Sequence, residues 1–191
     1  MDSVSGGDEG EQHQTRHDGK TDDHPGIQQH GACHTSVVER RGREATTLFV
    51  SGCTHNCEGC FNKEQQNFNY GKPFTKEVED LFISYAKDPH VDGVCILGGE
   101  PLQQDLNLMF NLMKRIKSEV DKPIHMWSGY TWEEILQDDK KVDVIMWIDT
   151  LVDGRFMLDQ RDLSLAHKGS HNQREIDVQV SLKLGRVCEI C

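Results

Sequence analysis

Apolar residues fall into short blocks along the chain, and the spacing within each block tells strands from helices. Thr46-Thr47-Leu48-Phe49-Val50 is β-branched, aromatic and aliphatic, and stops at Ser51-Gly52, which predicts a strand. After a polar loop, Thr75 can cap a helix whose Val78, Leu81, Phe82 and Tyr85 recur at i, i+3, i+4, i+7 before Asp88-Pro89 ends it. Gly93-Val94-Cys95-Ile96-Leu97 predicts a second, buried strand that stops at Gly98-Gly99-Glu100-Pro101. Over residues 105–120, Leu106, Met109, Phe110, Met113, Ile116 and Val120 form one helical stripe, read as core. Ile124-His125-Met126-Trp127 predicts a third strand, and Thr131-Trp132-Glu133-Glu134 a capping box opening a short helix. The apolar run 142–148 predicts a fourth strand, continuing toward Leu151-Val152.

Strands alternating with helices imply right-handed crossovers and a parallel sheet, either open or curled into part of a barrel. Ligands of such sheets sit at the carboxyl ends of the strands. Those ends are residues 53–60, 98–101, 127–130 and 149–155, and the unusual chemistry of the chain is concentrated there.

Residues 1–34 break the pattern. They hold five hydrophobic residues, seven acids, two bases and five of the ten histidines, the composition of a disordered tail with a net charge of −5. We therefore divide the chain into a disordered acidic tail, 1–34, and one α/β domain, 35–191. The tail histidines could chelate a metal, although only His13/His17 and His30/His34 are spaced i, i+4. With a total charge of −11, sequence-independent binding to nucleic acid is not expected. The longest apolar runs are far below the roughly 18 residues of a membrane span, and the first residues lack a secretory signal, so a cytoplasmic location is expected.

Seven cysteines in a reducing compartment point to metal binding, a reactive thiol or plain buried thiols. Cys53-Thr54-His55-Asn56-Cys57-Glu58-Gly59-Cys60 packs three into eight residues. Three close thiolates can hold three corners of a 4Fe-4S cubane and leave one iron open to a small molecule. A zinc site completed by His55 or by a distant ligand is the alternative, although no second ligand pair lies nearby. Cys95 reads as a buried thiol, and Cys188/Cys191 as a redox pair, half a metal site, or neither.

A C-x3-C-x2-C run after the first strand and a Gly-Gly-Glu-Pro after the second resemble the radical S-adenosylmethionine superfamily. The segments Leu48-Phe49-Val50-Ser51-Gly52-Cys53, Gly59-Cys60-Phe61-Asn62-Lys63, Leu97-Gly98-Gly99-Glu100-Pro101-Leu102, Trp127-Ser128-Gly129-Tyr130, Leu151-Val152-Asp153-Gly154 and Gly169-Ser170-His171-Asn172-Gln173-Arg174 narrow the resemblance. Within the superfamily they are similar to the activating proteins of anaerobic ribonucleoside-triphosphate reductase. One departure is Arg40-Arg41-Gly42-Arg43-Glu44-Ala45, where that family carries Asn-Gly-Pro-Gly-x-Arg.

The resemblance implies a partial (βα) barrel and a 4Fe-4S cluster on Cys53, Cys57 and Cys60. S-adenosylmethionine would lie against Gly59, Cys60 and Phe61 on its adenine side, Gly98 and Gly99 at its methionine end, and Trp127, Ser128 and Gly129 near the adenosine. Glu100 would face its ammonium, and Asp153, Gly154 and Arg155 would face the protein substrate. The implied activity is reductive cleavage of S-adenosylmethionine and hydrogen abstraction from a glycine of the reductase, with a flavodoxin or ferredoxin as electron donor. The other readings are activation of a different glycyl radical enzyme, a small-molecule radical enzyme such as a 7-deazaguanine synthase, and a noncatalytic zinc or iron-sulfur module.

Overall fold

The computed structural model describes residues 32–40 and 43–190. The expected tail therefore lies outside the described residues, apart from Ala32-Cys33-His34 at the start of the first strand, as does Cys191. Seven strands form one sheet: β1 (Ala32–Arg40), β2 (Arg43–Val50), β3 (Lys72–Pro73), β4 (Val91–Gly98), β5 (Ile124–Trp127), β6 (Thr150–Asp153) and β7 (Arg174–Asp177). Their order is β3-β1-β2-β4-β5-β6-β7. The centre, β2-β4-β5-β6, is parallel, and the flanking pairs β3/β1, β1/β2 and β6/β7 are antiparallel. The architecture is mixed α/β, with helices α1 (Lys76–Ala86), α2 (Leu106–Glu119), α3 (Trp132–Ile135), α4 (Asp139–Ile145) and α5 (Val178–Leu184).

The strand period of two separates the faces. Leu48, Val50, Val94, Ile96, Ile124, Met126 and Leu151 enter one core cluster with Met109, Leu112, Met113 and Ile116 of α2. The alternate positions Thr47, Cys95, His125 and Thr150 stand side by side in register and stay out of that cluster. Cys95 is buried, as expected. Two helix starts follow the anticipated caps, as Thr75 accepts from Val78 N and Thr131 and Glu134 complete the capping box; α2 is capped by Asp105, which accepts from Asn107 N and Leu108 N. No helix among the described residues is long and apolar enough to cross a membrane.

Two expectations need correction. The run 142–148 is not a strand: Asp138 caps α4 through Lys140 N and Lys141 N, and the fourth parallel strand is β6, beginning at Thr150. A short apolar run reads alike for a strand and a buried helical turn, and here Val144, Ile145 and Ile148 are buried at helical spacing. In α1 the inward face is rotated. Phe82, Ile83 and Ala86 are buried, whereas Leu81 and Tyr85 are 46% and 43% exposed.

Candidate active site

The cysteine loop leaves β2 and is folded by backbone contacts. Gly52 N donates to Gln65 O at 2.7 Å, Cys53 N to Gln66 O at 3.1 Å, and Cys60 N to Cys57 O at 3.3 Å. Asn56 and Gly59, at φ 50° and 69°, turn the loop through the left-handed region. Cys53, Cys57 and Cys60 are half-buried free thiols. Burial pushes the Cys53 thiol up; a backbone hydrogen bond from His55 opposes this, and the Glu100 charge adds to it. Burial also raises Cys57, against a backbone hydrogen bond from Phe156. Thiols raised in this way become thiolates most readily beside a cation, as metal ligation supplies.

The end of β4 packs tightly on this loop. A Cβ on Gly99 would lie 2.6 Å from Gly52 O and 2.8 Å from Gln65 O, and one on Gly98, at φ 117°, would lie 2.5 Å from Val50 O. Gly98 thus permits close backbone approach of the β4 end to β2, and Gly99 to the start of the cysteine loop. Glu100 N donates to Gly52 O at 2.9 Å, and Asn62 Nδ2 to Gly98 O at 3.1 Å.

The resemblance implies a ligand ammonium opposite Glu100; in the structure both of its carboxylate oxygens have protein partners. The residue is 1% exposed. Oε1 accepts from Leu102 N at 3.0 Å and Ser128 Oγ at 2.8 Å. Oε2 accepts from Gly129 N at 2.6 Å and lies 3.0 Å from His55 Nε2. On the next strand end, Trp127 Nε1 donates to His167 O at 2.6 Å.

A cavity of about 430 Å³ opens among these elements. Cys53, Cys57, Cys60, Phe61, Gly98, Gly99, Glu100, Trp127, Ser128 and Gly129 all line it, so the structure brings together segments far apart in sequence. Gly59 is not among its lining residues; its Cα faces Leu158, whose Cδ1 would be 2.8 Å from an added Cβ. His55, Asn62 and His167 also line the cavity. Sequence reasoning had considered His55 only as a zinc ligand, and its place between the first two cysteines was the available signal. Phe61, 56% exposed, meets Phe156 edge-on at 5.0 Å on the rim.

A neighbouring groove of about 630 Å³ is lined by His55, Cys57, Asp153, Gly154, Arg155, Phe156 and Arg174, among others. Its wall is stitched by charge. Arg174 donates to both oxygens of Asp153, at 3.0 and 2.5 Å, and to both oxygens of Glu133. Arg155 pairs with Glu134 at 3.0 Å. The segment around Asn172 and Gln173 closes over the end of β6 through Arg155 O and Gly154 O.

Three free thiols from one loop line a cavity backed by glycines, and thiols are the donor type an iron-sulfur cluster takes. Among the described residues, Cys95 and Cys188 do not line it. A family model described as a 4Fe-4S single cluster domain matches residues 40–176. An anaerobic ribonucleoside-triphosphate reductase-activating protein of Pasteurella multocida is 39% identical over 143 residues, 73% of this chain and 90% of the relative. The chain belongs to the family of anaerobic ribonucleoside-triphosphate reductase-activating proteins. A reductase-activating protein of the same name from Escherichia coli K12 is 41% identical over 131 residues, 66% of this chain and 84% of its own length. One from enterobacteria phage T4 is 33% identical over 129 residues, 66% of this chain and 80% of its own. No solved structure matches.

Proposed function

We propose that this chain activates an anaerobic ribonucleoside-triphosphate reductase by forming a glycyl radical on it. Cys53, Cys57 and Cys60 would hold a 4Fe-4S cluster, and S-adenosylmethionine would occupy the cavity beside them. The observation that carries the reading is the arrangement of three half-buried thiols from one loop around the cavity that Gly98, Gly99 and Trp127-Ser128-Gly129 also line. Cys53, Cys57 and Cys60 would hold the cluster, which would supply the single electron for reductive cleavage of S-adenosylmethionine, the chemistry needed for hydrogen abstraction from a reductase glycine.

The chain's own residues bind, orient and exclude water. Gly98 and Gly99 keep the β4 end low against β2 and the start of the cysteine loop, so the cavity floor is backbone. Trp127, tied to His167 O, and Phe61 with Phe156 provide apolar walls that limit water around a reactive species. No general acid or base is needed for hydrogen-atom transfer. Asp153, Gly154 and Arg155 line the neighbouring groove, where the reductase segment would enter. The wider proposal is a partial barrel domain over 35–191, working in the cytoplasm with a flavodoxin or ferredoxin donor.

The test is anaerobic reconstitution with iron and sulfide, followed by dithionite, S-adenosylmethionine and the reductase. The expected products are 5'-deoxyadenosine and a glycyl radical signal in EPR. Cys57→Ala abolishes both and Cys188→Ala retains both. A colourless zinc protein, or a full cluster that yields neither product, overturns the proposal.

A further inference from the structure

We infer that the Glu100 carboxylate is a positioning group that, with His55, fixes the shape of the cysteine loop before any ligand arrives. The inference rests on the proposed cluster site and departs from the ligand-facing role that the resemblance implies for Glu100.

Two parallel straps carry it. In the first, His55 Nε2 meets Glu100 Oε2 at 3.0 Å, and Gly129 N donates to the same oxygen at 2.6 Å. Glu100 Oε1 takes Ser128 Oγ and Leu102 N. With three protein donors already on the carboxylate, its contact with the imidazole is satisfied by an N–H at Nε2. In the second strap, Thr54 N donates to Gln103 Oε1 at 2.7 Å, and Gln103 Nε2 donates to Tyr130 Oη at 3.1 Å. The straps touch where the His55 and Tyr130 rings meet edge-on at 4.6 Å. Three segments distant in sequence are thereby joined: the cysteine loop, the turn after β4 and the loop after β5.

Burial sets the strength of the lock. The side chains of His55 and Glu100 are 5% and 1% exposed, so water is a poor substitute for either partner. The closeness of the ring to the β5 end explains Gly129: a Cβ there would lie 2.4 Å from His55 Cδ2. His55 lies between Cys53 and Cys57 in the chain, so fixing its ring fixes the arc of loop that carries both thiols. A loop held in this way presents its ligands without an ordering cost at the moment of cluster binding.

The test uses the full chain and the variants His55→Leu, His55→Gln, Gly129→Ala and Glu100→Gln. The first readout is amide hydrogen exchange of residues 53–60 in the cluster-free protein. Loss of a buried hydrogen bond to a charged group should speed local exchange by roughly tenfold or more in His55→Leu and Gly129→Ala. His55→Gln, whose side-chain amide can donate to Glu100, restores most of the protection. The second readout is iron per chain and the EPR line shape of the reduced cluster without S-adenosylmethionine, expected to be lower and broader in His55→Leu and recovered in His55→Gln. A ligand-contact role predicts something different: Glu100→Gln loses S-adenosylmethionine affinity while exchange in the cluster-free loop stays at the wild-type rate. Wild-type exchange and iron content in both His55→Leu and Gly129→Ala also overturn the inference. If the wild-type chain takes up no cluster, the proposed function fails, and the exchange experiment still judges the lock.

Discussion

The close approach of the β4 end to β2 can be tested by adding one methyl group at Gly98. An alanine there would keep φ at 117° and place Cβ 2.5 Å from Val50 O and 2.9 Å from Val50 N. These atoms belong to β2, which is hydrogen-bonded on both sides and cannot yield cheaply. Holding a non-glycine residue in that backbone region costs about 1–3 kcal/mol. Forcing a methyl into packed backbone costs about 1–3 kcal/mol more. The two together come to about 4 kcal/mol, a large part of the roughly 5–15 kcal/mol that holds a typical domain. With a urea slope of about 2 kcal/mol per molar, the unfolding midpoint of Gly98→Ala should fall by about 2 M. Gly185→Ala is the matched control: φ is 66°, and nothing lies within 4 Å of its added Cβ. Only the left-handed strain remains there, about 1 kcal/mol. Urea unfolding of the cluster-free chains, followed by circular dichroism, compares the two. If Gly98→Ala shifts the midpoint no further than Gly185→Ala, backbone crowding is not what requires glycine at the end of β4.

Arg174→Met strands the Asp153 carboxylate, whose side chain is 1% exposed, and should cost about 3–5 kcal/mol in urea unfolding. Adding Asp153→Asn should recover at least half of that loss, and simple additivity of the two changes would refute the pairing. Acid should loosen the α1/α2 surface. Hydrogen bonds from Arg115 and Lys87 hold Glu119 down at about 2, against an ordinary value of 4.5. A depressed carboxylate stabilises fully above its unfolded value and loses that contribution as pH falls through its folded one, so the window is pH 4.5 to 2. Glu119→Gln should flatten the acid limb of the stability curve, and an unchanged limb would show that the network adds nothing there.

What could be read from the sequence followed from how local the cause was. Thr75 and Thr131 marked helix starts because a side-chain cap is decided within three residues. The strand ends at Val50, Gly98 and Trp127 were visible for a similar reason, and the site segments beyond them meet at one cavity. The α4 run was misread because Val142 to Ile148 lacks the length that separates a helix from a strand, and the deciding Asp138 cap lies outside the run. The rotated face of α1 depends on where α2 and the sheet press against it, which no window of α1 contains. β1, β3, β7 and α5 went unread, since their partners are remote or their runs brief. Within the site, three thiols could be counted from spacing alone, whereas the His55 to Glu100 contact spans 45 residues and needs the fold to exist.

The order of the strands has a temporal meaning. Apart from the two-residue β3, which joins β1 at the far edge, the strands after β2 are laid down side by side, β4, β5, β6 and β7 in turn, so the sheet can grow at that edge as the chain leaves the ribosome. The cysteines emerge early, but what shapes their loop does not. Gly52 O waits for Glu100 N, and His55 waits for the carboxylate whose other partners, Ser128 and Gly129, arrive with the end of β5. About two thirds of the chain must therefore be made before the thiols stand in their final places.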